Sequence, residues 1–146
     1  MELREILALK SDVIHSIAPT DSVTDAVVKM VELGIGSLVV MQHGQMVGFL
    51  TERDVVQGMV KYGCDLKDAQ VSQIMVTEPV VASIDDSVDY ARDVLTKSHI
   101  GHLLVMDGNA LKGVISFHDV ARACLKEANF ENSLLKRYIK HWPEQA

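Results

Sequence analysis

Apolar residues at Val23, Ala26, Val27, Met30 and Val31 follow Asp21-Ser22 at helical spacing, so the pattern predicts a capped helix that Gly34 and Gly36 stop. Ser37–Met41 then runs as an apolar strand, His43-Gly44-Gln45 as a hairpin turn, and Met46–Leu50 as the returning strand. Thr51 is positioned to cap a second helix from Glu52 to about Lys61. The same order recurs downstream: Asp86, Val88, Ala91 and Leu95, strand Leu103–Met106, turn Gly108-Asn109, strand Leu111–Ile115, and a helix from Phe117 to about Lys126. Extended lead-ins precede the two units at Val13–Ile17 and Val80-Val81.

The recurrence is a duplication. Asp21–Val55 aligns without a gap on Asp86–Val120, with twelve identical positions, among them Asp21/Asp86, Gly48/Gly113 and Asp54/Asp119. A two-fold repeat this short predicts two half-size α-β-β-α units packed as one α+β (α/β sandwich-like) body about a pseudo-two-fold axis. The boundaries fall at 3–70 for the first repeat, 71–130 for the second and 131–146 for a helical tail. Short amphipathic pieces, Leu3–Leu7 and Val71–Met75, lie ahead of the lead-in strands. In the tail Leu134, Leu135, Tyr138, Ile139 and Trp142 share one helix face that Pro143 ends.

Composition narrows the function. The 146 residues include three Phe and one Trp, which leaves Val, Leu, Ile and Met to fill the core. Met30, Met41, Met46, Met59 and Met106 fall on apolar faces and are expected there. A net charge of −6 with no basic block argues against nucleic acid. No apolar run approaches a bilayer's thickness, and the start MELREILALK has no leader-like apolar core. A cytoplasmic protein with no membrane partner is the expectation. Cys64 and Cys124 form neither a disulfide framework nor a CxxC pair, and Cys64 reads as a solvated thiol.

Candidate chemistry concentrates where each hairpin closes. Gly48-Phe49-Leu50-Thr51-Glu52-Arg53-Asp54 and Gly113-Val114-Ile115-Ser116-Phe117-His118-Asp119 both read glycine, two apolar residues, a hydroxyl, two variable residues and Asp. A hydroxyl at a helix N-cap leaves backbone donors and a positive dipole end for a phosphate. An Asp one turn in can accept two ribose hydroxyls, and Arg53 and His118 add positive charge. A capping box alone explains one such motif without any ligand. Two copies at identical positions favour the ligand. His99, His102 and His118 lack an acidic or thiol partner for a metal site, and no nucleophile motif is present, so neither metal nor catalysis is expected.

These motifs, with Pro19-Thr20-Asp21-Ser22-Val23, its counterpart Ile84–Val88, and the Ile-Gly-x-Leu strand starts, resemble a tandem pair of CBS domains (a Bateman module) over about residues 3–130. The likeness is greatest to small stand-alone bacterial CBS-pair proteins. That resemblance implies a regulatory module, not an enzyme. It implies no obligatory cofactor, an adenine nucleotide or S-adenosylmethionine in clefts between the repeats, a homodimer built as a flat disc, and an unknown effector protein. It implies ribose contacts at Asp54 and Asp119, with Thr51, Arg53, Ser116 and His118 toward phosphate. Adenine would lie against Val13, Ile14 and His15 in the Asp119 cleft and against Val80 and Val81 in the Asp54 cleft. Ile35, Gly36 and Ser37, with Ile100, Gly101 and His102, would line the walls. His118 stands where the first motif has Arg53, so the two clefts differ. A ligand-independent dimerisation scaffold is the alternative.

Overall fold

The computed structural model describes residues 1–10 and 13–140, the side chains of 139 and 140 excepted. Two three-stranded sheets form, each of one lead-in strand and one hairpin. In the first, β1 (Ser16–Ile17) runs parallel to β2 (Ser37–Gln42), which pairs antiparallel with β3 (Gln45–Thr51). In the second, the order is β4 (Val81–Ser83), β5 (His102–Asp107) and β6 (Ala110–Ser116), with β5 and β6 antiparallel. Both hairpins carry a register shift at the same place, between Val40 and Met41 and between Val105 and Met106. The duplication therefore extends to a backbone irregularity.

The helices are α1 (Leu3–Ala8), α2 (Val23–Leu33), α3 (Glu52–Tyr62), α4 (Val71–Ile74), α5 (Val88–Ser98) and α6 (Phe117–Lys140). Ser22 caps α2 by accepting from the Asp25 N–H, and Ser87 caps α5 by accepting from the Tyr90 N–H. The neighbouring Asp21 and Asp86 turn backward instead, accepting from the N–H groups of Ala18 and Ser83. Gly34 ends α2 in a left-handed conformation at φ 64°, and His99 takes the same role after α5 at φ 52°.

Several expectations are corrected. The first lead-in strand is confined to Ser16–Ile17, and the second begins at Val81 and runs on to Ser83, so Val80 precedes it. Gly36 does not end α2; its carbonyl accepts the Glu52 N–H and so fixes the start of α3. The helix from Phe117 does not stop near Lys126. It continues to Lys140 as one 24-residue helix, because the sequence offers no glycine or proline between those points to break it. Leu134, Leu135 and Tyr138 on it are exposed; the Ile139 side chain, Trp142 and Pro143 lie outside the described residues. Of the methionines placed in the core, Met30 is buried, while Met41, Met46, Met59 and Met106 are half-buried.

The chain forms two compact units that cut across the order of the repeats. One joins the described residues of Met1–Ser11 to those of Ala82–Ala146; the other comprises those of Asp12–Val81. Each has its own core. Leu3, Ile6, Leu95, Leu103 and Ile115 are buried together in one, and Val23, Met30, Leu38, Leu50 and Val71 in the other. The lead-in helices are thus exchanged: α1 packs on the second repeat's β6, and α4 on the first repeat's β3. Their docking is alike bond for bond. The Leu3 and Arg4 N–H groups donate to the carbonyls of Asp86 and Ile84; those of Val71 and Ser72 donate to Asp21 and Pro19.

Candidate functional site

Each hairpin delivers its hydroxyl residue to the first position before a helix. Pairing sets Ser37 opposite Thr51 and His102 opposite Ser116. The N–H of Glu52 donates to Gly36 at 3.0 Å and that of Phe117 to Gly101 at 2.8 Å. These bonds place Ile35–Ser37 beside the Thr51–Asp54 motif and Ile100–His102 beside the Ser116–Asp119 motif. Each group of expected wall residues therefore adjoins its own motif.

Both motifs are complete capping boxes. The Thr51 N–H and hydroxyl donate to Asp54 Oδ2 at 2.8 and 2.9 Å, and the Asp54 N–H returns to Thr51 Oγ1 at 3.3 Å. The Ser116 N–H donates to Asp119 Oδ2 at 2.8 Å, and the Asp119 N–H to Ser116 Oγ at 3.1 Å. Backbone donors expected to be open to a phosphate are consumed here: the first N–H of each helix goes to a carbonyl, and the third goes to the hydroxyl. Capping and ligand binding nevertheless do not compete for the whole carboxylate. The cap uses Oδ2, and Oδ1 of each Asp lies outside it. A carboxylate has acceptor capacity for both tasks.

The two sites differ in charge. Lys10, just beyond α1, places Nζ 2.6 Å from Asp119 Oδ2 and 2.9 Å from the Val114 carbonyl. Burial pushes the Asp119 carboxyl up, but the Lys10 ammonium and the Ser116 donors outweigh it and hold it below the usual carboxylate range. His118 is exposed, and its Nε2 lies 2.7 Å from Arg122 Nη2 one turn along α6. Sequence reasoning missed both Lys10 and Arg122. The i, i+4 spacing could have found Arg122, whereas no local signal ties Lys10 to Asp119, 109 positions away. In the first motif Arg53 is exposed and Asp54 half-buried.

The remaining expected residues lie with the first motif's unit. The His15 carbonyl accepts the Val39 N–H, Val13 is exposed, and Ile14 is half-buried beside them. Val80 and Val81 belong to that unit as well and are exposed. Among the described residues, no group of three or more His, Cys, Asp or Glu side chains is placed to hold a metal ion. No helix among them is long and apolar enough to cross a membrane.

Comparison with known proteins agrees with this geometry. The CBS domain family profile matches twice, at residues 3–61 and 71–126. A mitochondrial CBS domain-containing protein of Arabidopsis thaliana, CBSX3, is 31% identical over 125 residues, which cover 82% of this chain and 61% of that protein. YhcV, a CBS domain-containing protein of Bacillus subtilis, is 27% identical over 108 residues, covering 74% and 76% of the two chains. Among solved structures, a protein with CBS domains from Burkholderia ambifaria superposes with a TM-score of 0.82 at 29% identity, over 86% of this chain and 95% of that one. The CBS domain pair of protein MJ0100, solved in complex with 5-methylthioadenosine and S-adenosyl-L-methionine, shares the fold with a TM-score of 0.75 at 20% identity, over 87% and 98%. Two matched repeats, two equivalent sheets and two equivalent hairpin–helix motifs make one assignment: the chain belongs to the CBS-domain family, as a tandem pair.

Proposed function

We propose that this protein is a regulatory module that binds an adenosine-containing ligand (AMP, ADP, ATP or S-adenosylmethionine) at its two hairpin–helix motifs and passes the bound state to an effector protein. The observation that carries this reading is the carboxylate oxygen that each Asp keeps outside its cap. Asp54 and Asp119 anchor ribose through it, with Thr51, Arg53, Ser116 and His118 toward the ligand's tail. Ile35–Ser37 and Ile100–His102 form the adjoining walls, and Val13–His15, Val80 and Val81 supply the apolar contact for adenine. The adenosine compounds in the MJ0100 complex support the ligand class. The protein acts as a homodimer, without an obligatory cofactor and without catalysis.

A second reading, a ligand-independent dimerisation scaffold, is favoured by the completeness of both capping boxes, which need no ligand to satisfy their donors. Native mass spectrometry of freshly purified protein separates the two. A co-purified adenosine compound supports the sensor, and bare dimers that stay bare after incubation with all four candidates support the scaffold.

A further inference from the structure

The exchanged lead-in segments carry different residues at the position that reaches the Asp119 motif in one of them. Four correspondences fix their register. Glu2 bridges Ser87 as Gln70 bridges Ser22. Glu2 forms a capping box with Glu5 as Gln70 does with Gln73. Leu3 docks as Val71 does, and Leu7 sits over Gly113 as Met75 sits over Gly48. In this register Lys10 corresponds to Glu78. The second motif therefore receives a cation from its docked lead-in segment, whereas the residue at the same count in the other segment is an acid. The hydrogen bonds of the Asp54 carboxylate, among the described residues, all come from Thr51.

We propose that Lys10 makes the Asp119 motif selective for an adenosine ligand with a phosphate tail over a neutral nucleoside or a cationic sulfonium; this rests on the adenosine-sensor reading above. The Lys10 ammonium occupies Asp119 Oδ2, the carboxylate oxygen shared with the cap, and its side chain is 37% exposed beside an Asp side chain that is 15% exposed. A neutral nucleoside must approach a carboxylate already compensated by that ammonium and offers it nothing in return. A phosphate offers Lys10 a second anion at the same place, so the lysine bridges ligand and Asp119 rather than competing for it. A sulfonium meets like charge instead. His118 and Arg122, on the first turns of α6, add to the same field.

The test is calorimetric titration of AMP, adenosine and S-adenosylmethionine into the full chain carrying Asp54→Ala, which leaves the second motif intact, with Lys10 kept or changed to Met or Arg. With Lys10 kept, and equally in Lys10→Arg, AMP should bind more tightly than adenosine. Lys10→Met should cut that preference about tenfold, the loss expected for one charged hydrogen bond, while holding adenosine at least as well as before. Lys10→Gln serves the same purpose if the methionine variant does not fold. An unchanged preference in a variant that still binds overturns the role of Lys10 alone. Absence of binding by these three ligands and by ADP and ATP to the unmodified protein overturns the sensor reading, and this inference with it.

Discussion

Leu7 lies against Gly113 so closely that a Cβ on the glycine would stand 2.8 Å from Leu7 Cδ2. A Cβ on its counterpart Gly48 would stand 2.6 Å from Met75 Sδ and 3.1 Å from the Val76 carbonyl. The matched positions of these glycines in the duplication are thus explained by two lead-in helices that need the hairpin surface flat. Leu7 is a side chain that can turn away, whereas the Val76 carbonyl is held by its bond from the Phe49 N–H. Gly48→Ala should therefore destabilise by about 1–3 kcal/mol, and Gly113→Ala by less. Urea unfolding of both variants checks the order, and Leu7→Ala should relieve the clash in Gly113→Ala.

The exchange of lead-in helices makes a prediction about fragments. Residues 1–70 carry α1 without the sheet it docks on and lack α4, so their core misses Val71. Residues 12–81 contain that whole unit. Circular dichroism on heating should show a cooperative transition for 12–81 and none for 1–70.

Much of this was legible in the chain. The gapless repeat, the caps at Ser22, Ser87, Thr51 and Ser116, and both hairpins follow from local spacing and turn chemistry. The exchange was not legible, because Leu3–Leu7 and Val71–Met75 are amphipathic in a way that fits either sheet. The full length of α6 is not legible from the repeat, whose first copy ends its helix at Tyr62, because the residues between Phe117 and Lys140 supply no breaker. At the site, the motif residues were found from the duplication, while Lys10 was hidden by sequence distance. Spacing alone does not show that the cap takes only Oδ2 of each Asp and leaves the other carboxylate oxygen outside it.

Acid should probe the Asp119–Lys10 pair. A carboxyl held below its ordinary value in the folded chain contributes stability that is fully present above the unfolded value, about 3.9, and is lost as pH falls through the lower folded value. Unfolding midpoints measured from about pH 2 to pH 5 should therefore rise with pH less steeply in Asp119→Asn than in the unmodified protein.

Assembly can be read directly. In the proposed homodimer a second copy would cover exposed apolar residues such as Leu134, Leu135 and Tyr138 on α6. Sedimentation equilibrium at micromolar concentration should return twice the 16.1 kDa chain mass. A species of 16.1 kDa would remove the homodimer from the proposal.

The central claim is that Asp54 and Asp119 anchor ribose while also capping their helices. Calorimetric titration of AMP, ADP, ATP and S-adenosylmethionine into the unmodified protein, Asp54→Ala and Asp119→Ala tests it most directly. Charged hydrogen bonds of about 1.5–3 kcal/mol predict at least a tenfold loss of affinity at one site in each variant. Loss of the cap alone costs about 1 kcal/mol of stability and leaves affinity nearly unchanged. The account predicts binding by the unmodified protein, with each variant folded and losing one site. Binding that is indifferent to both substitutions, or no adenosine ligand bound below millimolar, would contradict it.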